Sequence, residues 1–168
     1  MFFNKISKKM FWEFKNIKRY SVRPAKFFSE NDTEHSFMAT VIAIRLAKKY
    51  KLSEKEELQL IKLTLFHDIG ELVTGDINAM CKTEALSKEL EKIEEPIHTL
   101  FEGYFNYSRK NKKLEALSKA ADLLCVKFFG DMNEDKELSE AGFIGFKKYL
   151  KKFKELKWER VLLQNQKF

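Results

Sequence analysis

Cysteine, proline and glycine are all scarce in this chain, with two, two and six residues among 168. Two thiols, Cys81 and Cys125, without CxxC spacing provide neither a disulfide framework nor a cysteine-built zinc site, and they read as reduced structural thiols. So few helix breakers leave little room for a loop-rich or hairpin-rich fold. No uninterrupted apolar run of about 18 residues occurs, which excludes a membrane-spanning helix. No sustained period-two alternation occurs either, so no sheet is expected. The first twenty residues, MFFNKISKKMFWEFKNIKRY, lack the apolar stretch and small-residue cleavage site of a secretory leader. A cytoplasmic protein is therefore expected.

Lysine, glutamate and leucine are abundant, a mixture that favours helices joined by short loops. Apolar residues at 44% and charged residues at 34% give a globular balance, and the length fits one domain over 1–168 that can bury its own core. Sixteen phenylalanines supply large contacts for helix interfaces. The net charge of +7 sits at the ends: residues 1–20 carry +5 and 146–168 carry +6, leaving −4 in between. The basicity therefore says little about a central site.

Apolar residues recur at helical spacing almost throughout. Phe3, Ile6, Met10, Phe14 and Ile17 mark a first helix, and SVRPAKFFSEND, with Pro24, marks a connector. Asp32 or Thr33 is expected to cap a second helix, and Ser53 with Glu56 has capping-box spacing for a third that ends at LFHDIG. Further helices are expected at about 83–95, 96–107, 112–129 and 135–165, with Pro96 as a boundary. The fold class is all-α.

The third helix ends in a histidine and an aspartate side by side, His67 and Asp68, with Glu71 and Asp76 soon after. Buried charges are costly unless paired, and a metal ion is one partner that imidazole and carboxylate share. If the helix persists, Glu71 lies one turn beyond His67 and Asp68 on the same face. His35, in the first turn of the preceding helix, is a further donor. Asp122, set among Ala120, Ala121, Leu123 and Leu124, is out of place on a plain core face, although an ion pair with Lys119 is the simpler local reading.

With His35, the His67–Asp68 pair and Asp122 in this order, the chain resembles the HD-domain metal-dependent phosphohydrolases, and among them the bacterial 5'-deoxynucleotidases. The stretches that carry the resemblance are Arg19–Tyr20, SENDTEHS at 29–36, HDIGELVTGD at 67–76 and KAADLLCV at 119–126, spanning roughly residues 15–130. It implies an HD-domain bundle of six or seven helices in which His35, His67, Asp68 and Asp122 hold one divalent cation: Mn, Co, Mg, Fe or Zn. Glu71 would orient or deprotonate the attacking water, and Asp76 would assist proton transfer or contact the sugar. Arg19 would grip the phosphate, with Arg23 as the rival candidate, and Tyr20 would lie against the sugar or base. That branch usually has Trp where this chain has Tyr20, and prolines and a threonine where it has Ile77 to Met80, so the preference for deoxyribose and base stays open.

The implied activity is release of phosphate from a nucleoside 5'-monophosphate, by a homodimer. Alternatives are another phosphate ester, such as a nucleoside triphosphate or (p)ppGpp, or a metal- and nucleotide-binding module without turnover. His98 has apolar neighbours and reads as structural. With only three histidines, one metal fits better than two. The basic C-terminal stretch, about 135–165, repeats apolar residues at helical spacing and reads as a packed helix with a solvated lysine face, so nucleic-acid binding is not expected.

Overall fold

The computed structural model describes residues 8–20, 25–77 and 81–151. Phe3, Ile6, Arg23, Pro24, Asn78 to Met80 and the C-terminal residues from 152 onward lie outside these, and with them the expectations placed there. Seven helices occur among the described residues: α1 Lys8–Phe14, α2 Asp32–Lys49, α3 Glu54–Leu65, α4 Glu71–Thr74, α5 Glu84–Phe105, α6 Lys112–Met132 and α7 Lys136–Lys151. Among those residues the β-type pairing is one isolated antiparallel bridge between Lys18 and Asn31. No described helix is long and apolar enough to cross a membrane.

Helix α6 is the centre of the bundle, with α2, α3 and α7 packed against it. Alanines at four-residue steps on α2 (Ala39, Ala43, Ala47) and on α6 (Ala116, Ala120) are essentially inaccessible. Small side chains let helix backbones approach closely. His35 continues the α2 row one turn before Ala39, whereas Asp122 lies with Ser118 and Cys125 on a different side of α6 from Ala116 and Ala120. The wider core is filled by Leu60, Leu117, Phe101 and Phe146, all fully buried, each contributing on the order of 1.5–3 kcal/mol through apolar burial. Gly142 is required where α7 crosses α6, because a Cβ there would stand 2.7 Å from the Lys127 backbone nitrogen.

Three local expectations need correction. The cap of α2 is Asn31, whose side chain accepts from the Glu34 amide in a full capping box; Asp32 lies inside the first turn and is fully buried. Pro96 does not end a helix, for α5 runs through it to Phe105. Pro96 and Lys92, four residues earlier, both face solvent, so the Lys92 carbonyl that loses its amide partner can be hydrated. Finally, α3 does not persist to Glu71. It stops at Leu65, and the chain turns through i→i+3 bonds, including Ile69 N to Phe66 O and Glu71 N to Asp68 O, into the one-turn α4. The Ser53–Glu56 capping box forms as expected.

Candidate metal centre

The exit from α3 is anchored on one side by aromatic packing. The Phe66 ring lies 5.3, 4.5 and 5.8 Å from those of Phe101, Phe105 and Tyr107. With Phe66 held on that side, His67 and Asp68 face α2 and α6. One turn earlier, the Thr64 hydroxyl donates to Ser118 Oγ at 3.0 Å and joins α3 to α6. Gly70 lies against α5, where a Cβ would meet Glu94 Cβ and His98 Nε2, both at 2.7 Å. Thr74 reinforces the contact by donating to Glu94 Oε1 at 2.6 Å.

These supports bring His35, His67 and Asp122 together, with ligand atoms all within 4.8 Å of one another. His35 Nε2 is 3.0 Å from Asp122 Oδ1, and His67 Nε2 is 3.9 Å from the same oxygen. Asp68 joins from one side, its Oδ2 3.1 Å from His67 Nε2 and 4.0 Å from His35 Nε2. Donors about 2.1 Å from a shared cation stand roughly 3.0 Å apart at right angles and 3.4 Å at tetrahedral angles, so these spacings fit one ion. The tautomers fit as well. His67 Nδ1–H donates to the Thr64 carbonyl at 2.7 Å, which turns Nε2 inward. That Nε2 is buried without a hydrogen-bond partner, as a ligand nitrogen should be. His35 Nδ1 is 3.2 Å from Glu30 Oε2, the carboxylate backing a ligating histidine commonly has.

Lys119 does pair with Asp122, but on the other oxygen, with Nζ to Oδ2 at 2.5 Å. The ion pair and the histidine contact therefore coexist. Burial opposes charge on both histidines, yet the neighbouring carboxylates prevail: His35 is held well above its usual value by Asp122, Cys125 and Glu30, and His67 rises to about 8 beside Asp68 and Asp122. Asp68 and Asp122 resist burial in turn and stay well below the carboxylate range, Asp68 through His67 and Arg19 and Asp122 through Lys119 and His35. The two imidazoles thus hold protons where a cation would put positive charge.

Glu71 is buried, and its Oε2 has no hydrogen-bond partner. Burial, then repulsion from Asp68 and Asp32, pushes its carboxyl up to about 10. Asp76 is half-buried and adds its charge to both Glu71 and Asp32. Arg19 crosses the site: Nη1 is 2.7 Å from Asp68 Oδ2 and 3.5 Å from Asp32 Oδ1, while Nε is 3.8 Å from Glu30 Oε2. Tyr20 stacks on Phe129 at 4.6 Å and takes a left-handed backbone, with φ 55°.

Three participants escaped the sequence reading. Glu30 backs His35. Asp32 reads in sequence only as a cap candidate. Cys125, a free buried thiol, packs 3.9 Å from the His35 carbonyl. Glu30 carries a signal in hindsight, since a carboxylate five residues before a ligand histidine can reach back over a helix cap. Asp32 carries none.

The fold and this cluster define an all-helical protein with a candidate centre of mixed imidazole and carboxylate donors. A family model described as HD domain matches residues 12–159, and the chain belongs to the HD-domain family. HD domains bind divalent metals, and membership points to a metal-dependent phosphohydrolase. No curated protein matches the chain.

Proposed function

We propose that this HD domain hydrolyses the phosphomonoester of a nucleoside 5'-monophosphate. The observation that carries the reading is the paired restraint of the histidines: both Nδ1 atoms are tied back, and both Nε2 atoms converge with Asp68 and Asp122. A divalent cation held by these four side chains supplies Lewis-acid charge to a phosphoryl oxygen and acidifies water.

The chain's own residues do the rest. Burial, then repulsion from Asp68 and Asp32, keeps Glu71 protonated while the centre is metal-free; a cation beside it would favour the carboxylate, which then orients the water and accepts its proton at Oε2. Arg19 presents a planar fork suited to phosphate oxygens. Tyr20, fixed by its stack on Phe129, flanks the sugar or base. Asp76 passes the proton on or takes a sugar hydroxyl. Lys119 and Glu30 hold Asp122 and His35 in register. The three-histidine total favours a single cation, hence a monoester rather than the two-metal chemistry of a phosphodiester.

A homodimer is part of the reading, and the exposed Phe37, Met38 and Val41 on one face of α2 give it an apolar surface. Light scattering should return about twice the 19.9 kDa of the chain; the monomer mass would remove the dimer. The activity is tested on metal-stripped protein resupplied separately with Mn, Co, Mg or Zn. Phosphate release from ribo- and deoxyribonucleoside 5'-monophosphates, present only with metal, is the expected result. A folded, metal-loaded protein that releases none would transfer the reading to another phosphate ester or to a binding module.

A further inference from the structure

Arg19 suits a phosphate, but its Nη1 donates to Asp68 Oδ2 at 2.7 Å. That is the same oxygen that stands 3.1 Å from His67 Nε2. A cation drawn onto Oδ2 would meet the guanidinium at short range, in a site where Arg19 and Asp68 side chains are only 11% and 17% exposed. Like charges so close and so little solvated repel strongly. Sharing that oxygen therefore weakens the hold of each.

Arg19 has somewhere else to go. Asp32 Oδ1 is already 3.5 Å from the same Nη1. Asp32 is fully buried, and beyond its contact with the Glu71 carboxyl neither of its oxygens has a hydrogen-bond partner. A carboxylate left so is costly, and helix capping does not account for it, because Asn31 performs that role. Glu30 Oε2, 3.8 Å from Arg19 Nε, offers a further contact on the same side.

Resting on the reading that His35, His67, Asp68 and Asp122 bind a divalent cation, we infer that Arg19 and the cation exchange on Asp68 Oδ2, and that Asp32 is the positioning carboxylate that takes up Arg19 when the cation claims Asp68. Released from Asp68 and held by Asp32, the guanidinium has one edge free for a phosphate. Cation binding and readiness for phosphate are then linked, and by reciprocity an anion that draws Arg19 off Asp68 tightens the cation.

The test is calorimetric titration of metal-stripped, full-length protein with Mn²⁺ alone, without substrate. Arg19→Gln should bind Mn²⁺ more tightly than the parent by at least about fivefold, the lower end of ordinary coupling between sites. Lys119→Gln removes the same charge from Asp122 Oδ2, an oxygen that His35 does not use, and should change affinity less. Asp32→Asn should weaken Mn²⁺ in the parent but have little effect in the Arg19→Gln background, a coupling that simple loss of negative charge does not produce. Equal affinities for the parent and Arg19→Gln, or an Asp32→Asn effect of the same size in both backgrounds, would overturn the exchange while leaving the metal centre intact. No Mn²⁺ binding by any of the proteins would overturn both. Should Arg19→Gln fail to fold, a crystal structure of the Mn²⁺-loaded parent decides: Arg19 off Asp68 and on Asp32 supports the exchange, and an unbroken Arg19–Asp68 contact refutes it.

Discussion

His35 and Asp122 lie 87 residues apart in sequence, and their side chains meet at 3.0 Å. The contact crosses the α2–α6 interface, where Ala39, one turn after His35, and Ala121, next to Asp122, are fully buried. Each partner is held from behind as well, His35 by Glu30 and Asp122 by Lys119. The centre is thus a by-product of helix packing, finished by charges at its rim.

Metal retention and turnover should separate by mutation. Asp68→Ala removes a donor, and bound metal and activity should fall together. Glu71→Gln leaves the four donors in place, so metal should stay while phosphate release drops by about 10²–10⁴, the usual worth of a general base. Metal analysis and a phosphate assay on the same preparation read both. Parent-like turnover in Glu71→Gln would take Glu71 out of the chemistry.

The support behind His35 is open to the same approach. Glu30→Gln keeps the shape but removes the charge facing Nδ1, and metal affinity should weaken by about 10–100-fold. Competition with a chelator of known affinity measures it. A change under twofold would mean that the Glu30 contact does not tune the histidine.

Much of this architecture was legible in the sequence, and the misses have physical reasons. Residue spacing revealed the helices, because an apolar stripe facing a core is a local pattern. The Ser53–Glu56 box formed because both halves lie within one turn. Asp32 is indistinguishable from a cap by sequence because Asn31 and Asp32 are both good caps, and the choice between them depends on tertiary packing that buries one of the two. Pro96 reads as a boundary because its cost depends on whether the orphaned carbonyl meets solvent, which sequence does not show. The attachment of Arg19 to Asp68 was hidden for a third reason: charged groups select partners by distance in space, and Arg19 had several acids to choose from.

Pro96 offers a gain-of-stability test. Its ring leaves the Lys92 carbonyl without an amide donor in the middle of a 22-residue helix. Pro96→Ala restores that donor at an exposed position and should stabilise the fold by up to about 3 kcal/mol. Thermal melting checks it. A lower melting temperature would show that α5 needs the proline's distortion to receive Gly70.

Gly70 is the opposite case. A methyl group there would collide with Glu94 Cβ and His98 Nε2, each 2.7 Å away. Gly70→Ala must push α5 away from the turn that carries His67 and Asp68, at a cost of about 1–3 kcal/mol for overpacking. Metal affinity should fall along with melting temperature, because the turn and the donors move together. A destabilised protein with unchanged metal affinity would show that the donors are held by α2 and α6 alone.

His98, on the other side of that contact, sets a pH dependence. It is buried, and burial, aided by the positive charge of Arg109, lowers its pKa below the ordinary 6.5. The unfolded chain therefore binds a proton near 6.5 that the folded chain still refuses. Stability must fall as pH drops below 6.5, and the loss must level off once the folded pKa has been passed. His98→Gln lacks this titration, so the parent's stability advantage over the variant should shrink between pH 8 and pH 5. Denaturant melts at the two pH values supply the comparison. An advantage that stays constant would mean that the imidazole accepts its proton in the folded state as readily as in the unfolded one, and the tight seat between Gly70 and α5 would then have to open in acid.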